Sequence, residues 1–193
     1  GQPLQTSPGY FWTKNGQAVA FFGGAAMITA HLPTGYVAAR LGRITRRAPF
    51  WALMAGSGFP DLDLIWFYLI DDRAFHHHNY WVHIPGFWLA LAIVTLPLIR
   101  MLRPALMPVA LAFLAGIAVH LALDTIAGSV AWGWPFTDHL FEFVTVPATH
   151  ANWIVSFLTH WTFAFELSIW LLAGLLYVRR DRSDPATGQA RSE

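Results

Sequence analysis

His120 and Asp124 combine residue types and a spacing that suit metal binding. They lie four positions apart at the end of the apolar stretch Gly116 to Asp124. Side chains at positions i and i+4 of a helix project from the same face. An imidazole and a carboxylate placed in this way can bind one cation together, so the pair predicts part of a metal site on one helix.

Asp61 and Asp63 form a second pair of candidate ligands. They follow Pro60 in a stretch that begins with glycines at positions 56 and 58, and this composition predicts a break in the helix. A proline suits the first position of the next helix, where the free N–H groups favour nearby carboxylates. Broken backbone at membrane depth is tolerated where it lines a protein cavity, which indicates a wall of the site.

His78 and His83 form the third pair, on either side of a predicted helix start. Asn79 is a suitable N-cap, so His78 is expected on the loop and His83 in the first turns of the helix. The two imidazoles can then converge on one point, although a spacing of five on a continuous helix would not align them.

The composition limits the chemistry that the chain can perform. Among 193 residues there are 9 His and 11 Asp+Glu but no Cys, which excludes disulfides, thiolate ligands and a cysteine nucleophile. The 12 Lys+Arg nearly balance the acids, and this balance argues against nucleic-acid binding, which requires a concentrated basic face. Any metal must be held by imidazole and carboxylate.

The buried carboxylates have no basic partner in the apolar segments that contain them. Asp61, Asp63 and Asp124 lie in segments without Lys or Arg, and an ionisable group inside a bilayer costs about 2.5 to 3.5 kcal/mol and usually marks function. Three such groups would repel each other unless they were protonated or bound a cation. A divalent metal ion satisfies this requirement best.

Three further ionisable residues in apolar segments have simpler interpretations. His31, taken alone, is more often a hydrogen-bonded structural histidine than a ligand. His160 and Glu166 are six positions apart and do not share a helix face. We therefore expect these two to lie outside the ligand set or to extend towards the membrane surface.

The elements that must position these residues are membrane spans. Hydrophobic residues make up 55% of the chain and charged residues 12%, and a span needs about 20 mostly apolar residues. The sequence predicts an all-α fold: a polytopic transmembrane helix bundle of about five spans, the second one broken, in a single membrane domain over residues 1–180. Because glycines and Pro33 interrupt the first segment, it could be re-entrant, and the count could be four to six. The segments are Ala18 to Ala39, Pro49 to Ile70, Tyr80 to Ile99, Ala105 to Ile126 and Trp153 to Val178.

Basic residues predict the orientation of the bundle. Arginines cluster after the first, third and fifth segments, whereas the opposite loops contain only Lys14 and Arg73. The positive-inside rule then places the N-terminus outside and the C-terminus in the cytoplasm. The metal site is expected towards the outer face. The polar residues 181–193 are predicted to form a disordered cytoplasmic tail.

The ordered set of motifs resembles a known family, the LexA-regulated inner-membrane metal-dependent hydrolases, which are distantly similar to zinc-dependent phospholipase C. The resemblance covers about residues 27 to 138 and implies an inner-membrane location. The motifs are Thr29-Ala-His31, Pro60-Asp61-Leu-Asp63, His78-x4-His83, His120-x3-Asp124 and Trp134-Pro135-Phe136. The resemblance implies that the metal ligands are His31, Asp61, Asp63, His78, His83, His120 and Asp124.

The sequence departs from the family pattern beside His78. Asn79 stands where the family tends to have Arg, and Val82 where it tends to have Thr. An Arg that contacts phosphate is therefore missing at this position. Arg73 is the nearby outer residue that could replace it in substrate binding.

The predicted function is metal-dependent hydrolysis of phosphoesters. Seven candidate ligands exceed the three or four that one zinc ion takes, so two or three ions are expected, zinc before manganese. Two such ions activate water and stabilise both the attacking and the leaving oxygen. Either Asp61 or Asp63 could be a general base instead of a ligand. A site near the outer leaflet favours a lipid or polyprenyl phosphate from the surrounding membrane over a small soluble phosphoester.

Two other classes of membrane protein, and a haem protein, also fit parts of the pattern. A divalent-metal transporter would likewise place Asp and His inside the membrane, but transport folds usually contain repeated halves, and we find no internal repeat. A structural membrane protein would use the same ligands to bind a metal ion but would catalyse no reaction. Paired carboxylates beside the imidazoles make haem iron a poorer fit.

Overall fold

The chain folds into seven α-helices and one small β-hairpin within the residues that the structure describes. These residues, in a computed structural model, are 10–12, 18–20, 29–70, 80–137, 139–147, 149–150 and 153–180. The strands are antiparallel, with Tyr10 opposite Ala20. The predicted helical class is confirmed, and the hairpin is an addition to it. The elements are β1 Tyr10–Trp12, β2 Ala18–Ala20, α1 His31–Leu41, α2 Arg47–Gly58, α3 Asp63–Leu69, α4 Pro85–Leu102, α5 Met107–Ala127, α6 Trp153–Leu158 and α7 Trp161–Val178.

Three helices in the described part of the chain are long and apolar enough to cross a membrane. They are Pro85–Leu102, Pro104–Ala127 and Trp161–Val178, and most of their surface is not covered by the protein itself. Apolar side chains on this outer surface are what a hydrocarbon environment favours. These helices correspond to the third, fourth and fifth predicted segments.

The first two predicted segments differ from continuous spanning helices. Residues 18–20 at the start of the first segment form β2, and α1 begins only at His31 and has 11 residues. Residues 21–28 of this predicted segment lie outside the described residues.

The second predicted segment contains two helices joined by a 3-10 turn. α2 ends at Gly58, a 3-10 turn covers Pro60–Leu62, and α3 begins at Asp63. Pro60 has no N–H to continue the helix, and the turn directs Asp61 and Asp63 towards the helices that follow.

The last predicted segment consists of two helices, not one. α6 ends at Leu158 and α7 begins at Trp161. A ring nitrogen of His160 accepts a hydrogen bond from the backbone N–H of Thr162, so this side chain caps α7. Such local side-chain bonds compete with helix continuation.

Close packing of α2 against α5 holds the centre of the fold together. A Cβ atom added at Gly56 would overlap the carbonyl oxygen of Phe113, and one added at Gly116 would overlap the carbonyl oxygen of Leu53. Small residues at such a crossing let two helix backbones approach each other. On α1, Gly35 packs in the same way against Ser57. The three helices that carry or precede most of the candidate ligands are thereby fixed relative to one another.

Candidate metal centre

Six of the seven predicted ligands lie together in one buried cluster. His31 starts α1, Asp61 lies in the turn after α2, Asp63 starts α3, His83 ends the 3-10 turn before α4, and the remaining pair lies on α5. Of the other predicted site residues, His78 and Arg73 lie outside the described residues. The cluster comprises His31, Asp61, Asp63, His83, His120 and Asp124.

Three ligand atoms at the centre of this cluster form a nearly equilateral triangle. His120 Nε2 lies 3.0 Å from Asp124 Oδ2 and 3.3 Å from His83 Nε2, and His83 Nε2 lies 3.6 Å from Asp124 Oδ2. Bonds of about 2.0 to 2.1 Å to a tetrahedral zinc ion would place two ligand atoms about 3.3 Å apart. The triangle therefore has the dimensions of one face of a zinc coordination tetrahedron.

The outer nitrogens of the two histidines in this triangle determine how the rings are oriented. His120 Nδ1 lies 2.8 Å from the carbonyl oxygen of Ser57, which can only accept a hydrogen bond. His83 Nδ1 lies 3.0 Å from Asp63 Oδ2. An acceptor oxygen thus lies within 3.0 Å of each Nδ1 atom, and a donor Nδ1–H would leave the Nε2 lone pair for a metal, as is usual for metal-binding histidines. The Ser57 carbonyl could not be predicted from the sequence, because a backbone acceptor carries no residue-type signal.

Asp61 supplies the fourth candidate ligand and the open side of the site. Its Oδ1 atom lies 3.9 Å from His120 Nε2, is buried, and has no hydrogen-bond partner among the described residues. The Asp61 side chain is 16% exposed, whereas those of His31, His83, His120 and Asp124 are at most 1% exposed. Asp61 is therefore the most exposed residue of the cluster.

His31 bridges two carboxylates of the cluster. Its Nδ1 lies 2.8 Å from Asp61 Oδ2 and its Nε2 lies 2.9 Å from Asp124 Oδ1. The ring also stacks on His120, with the centroids 3.7 Å apart. Both ring nitrogens are engaged in this arrangement, so His31 could become a metal ligand only if one of the two contacts opened.

The donor set as a whole fits a divalent cation. Two groups of side chains, one of His31, His120 and Asp124 and the other of Asp61, His83 and His120, have ligand atoms close enough to hold an ion. The described residues include no Lys or Arg side chain in an ion pair with these carboxylates. Imidazole nitrogen and carboxylate oxygen are ligands that suit zinc, so the residues present can hold such an ion.

Replacing Asp63 with Ala is expected to lower the affinity of the protein for zinc about 10- to 100-fold, because His83 would lose the acceptor that orients its ring. Asp63→Asn is the matched variant. Its amide oxygen can still accept from His83 Nδ1–H, so the loss should be smaller. Competition with a chromophoric zinc chelator measures both affinities, and equal affinities in Asp63→Ala and wild type would contradict this role.

Glu166 on α7 anchors the start of α1 next to His31. Its side chain is 2% exposed, and its Oε1 accepts a hydrogen bond of 2.9 Å from Thr29 Oγ1. The structure thus places Glu166 outside the ligand set, and its anchoring role depends on a contact between residues 137 positions apart.

Removal of this anchor is expected to destabilise the fold. Hydrogen bonds to a charged group contribute about 1.5 to 3 kcal/mol each, so Glu166→Ala should reduce the free energy of unfolding by about 2 kcal/mol or more. Glu166→Gln retains one acceptor oxygen and should lose less. Denaturant titration in detergent measures the change. Ser168→Ala, an exposed position on the same helix, is the control, and an equal loss there would contradict the anchor.

Comparison with known proteins gives one family. A profile described as YdjM inner membrane protein matches residues 20–182, a range that contains all the candidate ligands and the three apolar helices. No curated protein and no solved structure gave a match. The inner-membrane part of the family resemblance seen in the sequence is thereby confirmed. Because the profile covers most of the sequence, this chain belongs to the YdjM inner membrane protein family.

Proposed function

We propose that this protein is a membrane-bound, metal-dependent hydrolase of phosphoesters. The observation that carries the proposal is the convergence of His83 Nε2, His120 Nε2 and Asp124 Oδ2 within 3.6 Å of one another, with an acceptor oxygen within 3.0 Å of each Nδ1 atom. Hydrolases build such sites from three protein ligands and an open position. The resemblance of the ordered motifs to a metal-dependent hydrolase family supports the same reaction class.

Each residue of the proposed metal site would have its own role. His83, His120 and Asp124 would bind the ion from the closed side, and Asp61 would lie at the open side. A bound divalent ion would stabilise the negative charge that develops on a phosphoryl group. The Ser57 carbonyl would hold His120 in the required tautomer, and the Asp63 carboxylate beside His83 Nδ1 would do the same for His83.

Asp61 is the residue that we assign as proton acceptor. Its Oδ2 is held by His31 Nδ1 at 2.8 Å, while Oδ1 has no hydrogen-bond partner among the described residues. An attacking water at the open side would transfer its proton to Asp61 Oδ1. His31 would keep this carboxylate in place, because its other ring nitrogen is held by Asp124 Oδ1.

The proposed site would bind zinc in preference to manganese, with room for a second ion. Zinc fits the nitrogen and oxygen ligands and the size of the triangle, and manganese is the second choice. A second ion would use His31 after one of its carboxylate contacts opens. His78 as an additional ligand and Arg73 as a phosphate-binding residue remain predictions from the sequence.

The orientation in the membrane completes the proposal. We infer five membrane segments, with α2 and α3 together as the broken second one, an outer N-terminus and a cytoplasmic C-terminus, as the distribution of arginines favours. The site then lies towards the outer leaflet. This position favours a lipid-linked phosphate over a soluble ester.

Hydrolysis by the purified protein tests the proposed function. Detergent-purified protein supplied with zinc or manganese should release phosphate or a head group from a panel of phospholipids and soluble phosphoesters. Asp61→Asn should lower turnover about 10²- to 10⁴-fold, the usual contribution of a general base, while metal content stays measurable. Glu142→Gln, an exposed loop acid, is the control.

Unchanged turnover in Asp61→Asn would contradict the assigned proton acceptor. Metal uptake into proteoliposomes without any hydrolysis would support a divalent-metal transporter instead. Bound metal with neither hydrolysis nor transport would support a structural metal site.

A further inference from the structure

An apolar groove lies between α4 and α5. Its volume is about 620 Å³, within the range of about 300 to 1,000 Å³ that is typical of ligand pockets. Its sides include Ala90 and Ile93 of α4 and Leu114 and Ala118 of α5. Residues 132–136 of the following loop close one end of the groove.

The floor of the groove forms one layer of side chains next to the metal centre. Trp88, Ile117 and Leu121 line it and pack together as one buried cluster. Trp88 Nε1 donates a 2.8 Å hydrogen bond to the carbonyl oxygen of Val82, which directly precedes His83. Leu121 directly follows His120. The groove and the metal centre therefore share the elements that carry two of the candidate ligands.

The surroundings of the groove identify hydrocarbon as its occupant. Both walls belong to helices that are long and apolar enough to cross a membrane, so the groove opens towards the bilayer interior. The wall from Pro85 to Ile93 rises about 12 Å at about 1.5 Å per residue. This length is close to the depth of one leaflet of a hydrocarbon core about 30 Å thick.

The closed end of the groove has the character of a membrane interface. Trp132 and Trp134 line it, and both are nearly half exposed. Tryptophan is enriched where head groups meet the hydrocarbon core. A lipid in the groove would thus have its head group at the loop end, which is also the end where Pro85 lies two residues from His83.

We propose that this groove binds one acyl chain of a phospholipid and so positions the phosphate of that lipid for the metal centre. The substrate assignment depends on the proposed hydrolase function, whereas the binding of the chain does not. A groove about one leaflet deep suits an acyl chain better than a polyprenyl chain, most of which it could not accommodate.

Photolabelling tests the binding of the acyl chain without any need for metal or activity. Phosphatidic acid with a diazirine in its acyl chain is reconstituted with the protein, irradiated, and the labelled residues are mapped. Labels should concentrate on Ile93, Leu114 and their neighbours in the groove. Ala118→Phe should reduce this labelling about tenfold, the effect of displacing about two buried methylene groups.

Ala115→Phe is the matched control, because Ala115 is exposed on the same helix and does not line the groove. It should leave the labelling unchanged. The proposal would be overturned by labels spread evenly over the lipid-facing helices. Equal labelling in the two variants would overturn it too, because the groove would then hold only bulk lipid.

Kinetics separate this proposal from the proposed hydrolase function. Ala118→Phe should raise the KM for a long-chain phospholipid about tenfold and leave the KM for a soluble short-chain phosphoester unchanged. Hydrolysis of the soluble ester together with even labelling would overturn the groove alone. Concentrated labelling in a protein that hydrolyses neither ester would overturn the hydrolase function alone and leave the groove as a lipid-binding site.

Discussion

Replacing His120 with Ala is expected to lower the zinc affinity of the protein by at least about 100-fold. Loss of an outer partner of a ligand costs about 10- to 100-fold, and His120 is placed as a ligand itself. Its Nε2 lies within 3.3 Å of both His83 Nε2 and Asp124 Oδ2, so two ligand atoms would lose their common neighbour. Competition with a chromophoric chelator measures the affinity, and hydrolysis should fall with it.

A surface histidine provides the matched control for this variant. His139 is exposed in the loop after α5, and His139→Ala should retain wild-type affinity. Because His120 is fully buried, the unfolding transition of metal-free His120→Ala must be measured beside the affinity. A folded His120→Ala protein that binds zinc as tightly as His139→Ala would contradict the assignment of the centre.

Replacing Gly116 with Ala is expected to give the largest loss of stability from a single methyl group. The added Cβ would lie against backbone atoms of Leu53, Gly56 and Ser57, which cannot move without separating α2 from α5. Overpacking of this kind costs about 1 to 3 kcal/mol, occasionally more. The Ser57 carbonyl that orients His120 is on the same stretch of backbone, so metal affinity should fall together with the free energy of unfolding.

Gly174 on α7 allows the steric effect to be separated from helix propensity. A Cβ there would meet nothing within 4 Å apart from the neighbouring backbone of its own helix, and Ala is about 1 kcal/mol more favourable than Gly inside a helix. Gly174→Ala should therefore be neutral or stabilising in the same denaturant titration. If Gly116→Ala and Gly174→Ala had equal free energies of unfolding, close packing of α2 against α5 would not be what stabilises the site.

The parts of the site that the sequence predicted are those determined by local geometry. His120 and Asp124 share a helix face because of the helical repeat, and their ligand atoms lie 3.0 Å apart. Pro60 predicts the break that presents Asp61 and Asp63. Local spacing thus identified the residues, although it could not rank them as inner ligands or outer partners.

Contacts between distant elements could not be predicted in the same way. The sequence does not state that His83 Nδ1 meets Asp63, that His31 bridges Asp61 and Asp124, or that Glu166 binds the start of α1. These contacts depend on how helices cross, which small residues such as Gly56 and Gly116 determine through packing. An isolated acid such as Glu166 in an apolar helix indicates a buried role but does not name its partner.

The fold shows a similar division between composition and local structure. Apolar content predicted the helical class and the three long helices, because length and hydropathy are properties of a single segment. It did not predict the short α1, the hairpin of β1 and β2, or the separation of α6 from α7, where His160 caps the next helix. Local backbone preferences and side-chain caps determined these boundaries.

The metal content of the purified wild-type protein is the most direct test of a metal centre at this cluster. Protein in detergent is incubated with zinc, freed of excess metal, and compared by elemental analysis with a variant that combines His120→Ala and Asp124→Ala. We expect at least one tightly bound ion per chain in the wild type and none in the variant. Equal metal content in the two proteins, with both folded, would contradict a metal centre at this cluster.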